Sequence, residues 1–140
     1  VTKDGPRAIP PDSFQERVMT SSYSFLSDKQ VQLLMANGRL SRAFQERDEL
    51  FDPQPLVKLF TPDAGATWLL TEIDPDTPSM AFGLADLGLG CPEMGFFCLD
   101  ELAEIRGPLR LPIEQDAGFR ATQTVSAYAA TARAAGRIQA

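Results

Sequence analysis

Seven side chains between residues 56 and 99 are of the kind that can act in concert: Lys58, Asp63, Glu72, Asp74, Asp76, Asp86 and Glu93, one amine and six carboxylates. Converging carboxylates would suit an oxygen-ligated Mg²⁺ or Ca²⁺, and a lysine beside an aspartate would suit proton transfer. Histidine is absent from the chain. That removes the usual general base of Ser and Cys hydrolases and the usual ligand of zinc or iron. Cys91 and Cys98 lie seven apart, which is the spacing of neither a redox pair nor a zinc knuckle, so they read as two reduced thiols.

Each candidate also has a plain explanation. Asp74 and Asp76 share a Pro-containing turn, where Asp is favoured for backbone hydrogen bonding alone, and no EF-hand spacing follows them. Glu72 and Asp86 interrupt apolar runs. On the strand register given below, Asp86 falls diagonal to Lys58, so a half-buried ion pair is the simple reading and a catalytic Lys/Asp arrangement the sharper one. Trp68 with Phe96 and Phe97 would make a stacking platform for bases only beside a positive groove, which this acidic region does not offer. Core packing suits them better. Gly83, Gly88, Gly90 and Gly95 lack the Lys-Ser/Thr pair of a phosphate loop and read as bends and close contacts. No residue is assigned a catalytic or metal-binding role and no cofactor is implied. Lys58, Asp63, Trp68, Glu72 and Asp86 remain as candidate binding positions.

These positions depend on a run of hairpins. Four apolar stretches, 56–60, 67–73, 80–87 and 96–99, alternate with connectors of Pro, Gly and Asp, the pattern of consecutive antiparallel strands. Pairing Phe60 with Thr67 and Ile73 with Met80 sorts the side chains into two faces. One carries Leu56, Lys58, Phe60, Leu69, Thr71, Ile73, Phe82, Leu84 and Asp86; the other carries Val57, Leu59, Trp68, Leu70, Glu72, Ala81, Gly83 and Ala85. The small residues Ala81, Gly83 and Ala85 beside Trp68 would let a helix approach the second face closely.

Helices flank the hairpins. Ser27 and Gln30 form a capping box for residues 27–37, Leu26 and Val31 sit at staple spacing, Val31, Leu34 and Met35 make one stripe, and Gly38 reads as C′. A second helix over 39–50 follows, its mixed charges reading as a solvated face. After the strands, Asp100 would cap a helix at 101–106, residues 109–116 look extended or irregular, and Thr124 would cap a helix at 125–135. There Val125, Tyr128, Ala129 and Ala132 share a stripe and Gly136 ends it. The expectation is an α+β fold: an antiparallel sheet of about four strands with two helices before it and two after. Residues 1–22 read as a flexible leader, with Met19 a candidate start, and 23–140 as a single domain.

Net charge is −6 overall but uneven: −1 over residues 1–55, −8 over 56–118 and +3 over 119–140. An acidic sheet region repels phosphate backbones, which makes direct nucleic-acid binding a poor fit. No apolar run approaches the ~18 residues of a membrane span, and no signal-peptide pattern opens the chain, so a cytoplasmic address is the expectation.

The strings VKLFTPDAGATWLLTEIDPD, AFGLADLGLGCPEMGFFCLDEL and IRGPLRLPIEQD, with LLMANGR and SAYAATARAAGRI around them, resemble a bacterial family known as domain of unknown function 2958. The likeness covers about residues 27–138. Members of that family are small proteins of proteobacterial plasmids and integrative elements, without an established activity or agreed catalytic residues. The resemblance therefore implies genetic company and no site. Taken together, the expectations are a non-enzymatic accessory protein of a mobile genetic element that works through contacts with another protein. Two alternatives stand beside it: an acidic nucleic-acid mimic that inhibits a host defence enzyme of the anti-restriction or anti-CRISPR type, and an enzyme using carboxylates with Mg²⁺ or Lys58 with Asp86.

Overall fold

A computed structural model describes residues 21–140. The leader expected over 1–22 lies, apart from Ser21 and Ser22, outside the described residues, as does Met19. The elements in order are α1 (Asp28–Glu46), β1 (Val57–Phe60), β2 (Thr67–Ile73), β3 (Met80–Asp86), β4 (Glu93–Cys98), α2 (Leu99–Glu104), β5 (Glu114–Gln115) and α3 (Val125–Ala135). The strands make one antiparallel sheet in the order β4-β3-β2-β1-β5. The α+β class is as expected, with five strands in place of about four. The added strand is two residues long and carries no apolar alternation, so only its pairing with Leu59 and Phe60 makes it a strand.

One helix replaces the two expected before the sheet. Ser27 caps α1 with the capping box read from the sequence: its hydroxyl accepts from Gln30 N and the Gln30 side chain accepts from Ser27 N. Gly38 is not its C′ residue but lies mid-helix and buried. A Cβ there would sit 2.0 Å from the Ile73 carbonyl oxygen, so the glycine serves close contact between α1 and the end of β2. The helix stops at Asp48, which adopts φ 60°. Asp48 N donates to Gln45 O and Glu49 N to Phe44 O, the paired bonds of a Schellman ending with Asp in the usual glycine position.

The sheet register confirms Phe60 opposite Thr67. Between β2 and β3 the expected pairing holds from Thr67 to Leu70 and then slips by one, so that Glu72 faces Phe82 and Ile73 faces Ala81. The extra residue is Thr71, a wholly buried β-bulge. Its hydroxyl donates to Phe82 O at 3.0 Å, and its carbonyl accepts from the Asn37 amide on α1 at 2.9 Å. Glu72 and Ile73 consequently exchange the faces assigned to them. Gly83 also has a different role from the one expected: a Cβ would meet Leu69 O at 1.9 Å, so the crowding comes from β2 and not from a helix.

Two cores form, one on each side of the sheet. On one side Val57, Leu59, Trp68, Leu70, Ile73 and Ala81 pack against Val31, Leu34 and Met35 of α1 and Leu99 and Leu102 of α2. On the other, Leu69 and Leu84 receive Val125, Tyr128, Ala129 and Ala132, the α3 stripe read from the sequence. The short helix starts at Leu99, with Cys98 and not Asp100 at its N-cap, because Leu99 N donates to Ser79 O across the β2–β3 turn. Thr124 occupies the N-cap of α3, but its hydroxyl makes no cap bond. Asp52 supplies it instead, accepting from the backbone and the hydroxyl of Ser126.

Gly38→Ala tests the crossing of α1 over β2. In an ordinary helix interior the change gains roughly 1 kcal/mol. Here a methyl group meets a backbone oxygen at 2.0 Å, and overpacking of about 1–3 kcal/mol or more should outweigh that gain. Chemical denaturation is expected to show net destabilisation; an unchanged or raised midpoint would mean that the helix does not lie this close.

Candidate functional site

The five candidate positions do not converge. Lys58 and Asp86 line the same open concavity of about 730 Å³, together with Phe60, Asp116 and Arg137, yet they do not pair. Asp86 is buried and accepts from Gly88 N at 2.9 Å and from Ile138 N at 2.9 Å. Lys58 donates to the Ala140 carbonyl at 2.7 Å and lies 3.5 Å from an Asp116 oxygen. The residues after α3 return to the sheet and engage both side chains, which is why the expected ion pair does not form. Asp63 belongs to neither group. Its Oδ2 accepts from Leu109 N at 2.6 Å, while its buried Oδ1 has no hydrogen-bond partner among the described residues and fills the space a Cβ on Gly107 would take. Trp68 is a core residue, 2 % exposed. Among the described residues no group of three or more Cys, Asp or Glu is placed to hold a metal ion.

A second region combines more of what a binding surface needs, and it lies along β4. Among the described residues this strand is an edge of the sheet, paired on one side alone. Its residues are only partly buried, and Phe96 is 58 % exposed. On the α2 side the edge opens into a groove of about 480 Å³ lined by Trp68, Ala85, Leu87, Phe97, Leu102 and Ile105, with Glu93 and Glu101 on its rim. Among the described residues a Cβ on Gly95 would meet nothing within 4 Å, so the glycine leaves the groove open.

On the other face the edge opens into a smaller cavity of about 210 Å³, where Glu72 meets Phe51, Phe82 and Phe96, with Ser41 and Gln45 on the α1 side. Phe82 and Phe96 oppose each other in β3 and β4, and their rings meet edge-on with centroids 5.0 Å apart. The bulge at Thr71 is what turns Glu72 towards this cavity. Burial pushes the Glu72 carboxyl above its ordinary value; the Ser41 hydroxyl opposes the rise and the charge of Asp74 adds to it.

Of these residues the sequence singled out Glu72 and Trp68, and it set Phe96 and Phe97 aside as core. Phe97 is core-facing; Phe96 is not. The adjacent pair on one strand carried the signal, because neighbouring residues point to opposite faces and one ring must differ in surroundings from the other. Phe51 could not have been placed from sequence, since its position depends on where the chain goes after α1.

The family model described as Protein of unknown function (DUF2958) matches residues 25–139. No curated protein and no solved structure matches the chain.

The position of Glu72 sets a pH dependence. Its folded-state value lies above the unfolded one, so the protonated form favours the fold. Stability then falls as pH rises from the ordinary carboxyl range through the raised value. Glu72→Gln should raise the melting temperature at neutral pH, and the gain should vanish below about pH 4, where the unfolded-state carboxyl is protonated too. A gain that persists undiminished in acid would assign it to another cause.

Proposed function

The chain belongs to the family described as Protein of unknown function (DUF2958), and since that membership specifies no activity, we propose that the protein acts by docking an extended segment of another protein on β4. The mobile-element setting implied by the resemblance makes it, in this reading, an accessory protein of such an element. The observation that carries the proposal is a strand that, among the described residues, has one unpaired edge and a pocket on each face. A strand added to β4 would satisfy the outward backbone groups and send alternate side chains to opposite faces, one set towards the Trp68 groove and the other towards the Glu72 cavity. Glu93 and Glu101 at the groove rim, with Asp100 and Glu104 elsewhere on α2, favour a segment that alternates apolar and basic residues. A second copy of the chain would instead bring two acidic rims together.

The acid residues support docking over nucleic-acid mimicry. Asp74 and Asp76 engage Arg42, Asp116 lies against Lys58, Glu72 and Asp86 are buried, and Asp63 and Asp100 accept hydrogen bonds from within the chain. Of the eleven carboxylates of residues 56–118 this leaves Glu93, Glu101, Glu104 and Glu114, and those of α2 and the groove rim border the docking edge in place of forming a long row of phosphate mimics.

Gly95→Trp tests the docking surface, because it fills the groove from a position with open space above it. Partners captured from the native host by the unaltered protein should be lost, at least about tenfold, with this variant and retained with Leu33→Gln on the exposed side of α1. Hydrogen exchange of the complex should show new protection over residues 93–98. Equal capture by both variants, or protection confined to α1, would refute edge docking.

A further inference from the structure

The smaller cavity beside β4 places a carboxyl group among phenyl rings, and among the described residues no cation pairs with it. Glu72 is 8 % exposed, and among the described residues no lysine or arginine forms an ion pair with it. Arg42, which lines an adjoining cavity with Glu72, and Arg47 at the end of α1 are committed elsewhere. Arg42, on α1, holds Asp74 at 3.3 Å and Asp76 at 3.1 Å; Arg47 holds Glu49 at 3.0 Å and lies over the Phe44 ring. The other charges facing this region, Asp74 and Glu49, are negative.

The ring positions are set by the fold. Phe51 is seated against Phe44, centroids 5.0 Å apart, and Phe82 and Phe96 hold each other across the sheet. About 210 Å³ is below the ~300 Å³ at which ordinary small-molecule pockets begin, which suits one side chain in place of a metabolite.

We infer that this cavity receives the alkylammonium end of a lysine side chain, carried by the segment that docks on β4. The inference rests on the docking reading for the source of the lysine. The chemistry of the cavity is its own argument. A four-carbon stem matches the phenyl walls, and its compact ammonium group meets ring faces and a carboxylate together. Phe96 belongs to both the edge strand and the cavity wall. A side chain on this face of an added strand would therefore leave the backbone beside Phe96, within cross-strand contact distance.

The test uses n-butylammonium chloride and n-butanol as matched probes of one shape, titrated into the ¹⁵N-labelled protein at neutral pH. Saturable shifts are expected at the amides of Phe51, Glu72, Phe82 and Phe96, with the amine binding about tenfold more tightly than the alcohol. Glu72→Gln should bring the two probes to parity. Equal binding of amine and alcohol to the unaltered protein would overturn the inference, as would an amine preference that survives Glu72→Gln. The probes carry no backbone and read the cavity alone, so failure here is separable from failure of edge docking, which Gly95→Trp and hydrogen exchange report.

Discussion

The bulge at Thr71 sets the geometry on which the rest of the structure depends. One extra residue in β2 reverses the facing of everything beyond it, so Ile73 enters the core shared with α1 while Glu72 turns to the opposite side. Thr71 is held from two directions: its hydroxyl reaches Phe82 O in the neighbouring strand, and its carbonyl accepts from Asn37 on α1. A buried carbonyl without a ladder partner would be costly, and Asn37 provides that partner one residue before Gly38 touches Ile73 O. Helix and bulge are thus mutually dependent. The helix needs the end of β2 where it is, and the bulge takes a donor from the helix.

Local signals in the sequence recovered the elements whose reasons are local. The capping box at Ser27 and Gln30, the α3 stripe and the Phe60–Thr67 hairpin register each rest on residues within a few positions of one another, and each is found in the structure. Gly38 reads as a helix end because a glycine after an apolar stripe is a common stop signal, whereas its missing side chain answers a carbonyl thirty-five residues later in the sequence. The same holds for Lys58 and Asp86. Their strands do lie in one sheet, but residues 137–140 engage both side chains, and nothing in the local pattern announces that tail. The cap of α3 comes from Asp52, seventy-four residues away from Ser126, while the expected Thr124 hydroxyl is idle as a cap.

The candidate site was only half legible for a related reason. Glu72 and Trp68 stood out as a charge and a large ring within apolar runs, and both border the edge region, but their roles differ. Trp68 is closed over by the α1 and α2 core and shows little surface to the groove, while Glu72 is turned into a cavity by a bulge that alternation alone could not reveal. Phe51 joins it there only because the chain leaving α1 passes over the sheet face next to Phe44.

The two edges of the sheet are treated differently, and that contrast bears on what β4 is for. The β1 edge is covered: Glu114 and Gln115 pair with it, Asp116 N donates to Lys58 O, and the Gln115 side chain is tied to Gln30 and to Phe25 O. Such covering is what a sheet needs to avoid unwanted pairing. β4 has Glu93 at its start but neither Lys nor Pro, and the bulge lies in the interior of the sheet, away from this edge. It presents an exposed phenylalanine, and Gly95 leaves space above the groove floor. Among the described residues a loop and a two-residue strand blunt one edge while the other lies between an aromatic cavity and an apolar groove, and the docking proposal is drawn from that asymmetry. A sheet built for stability alone gains nothing from it.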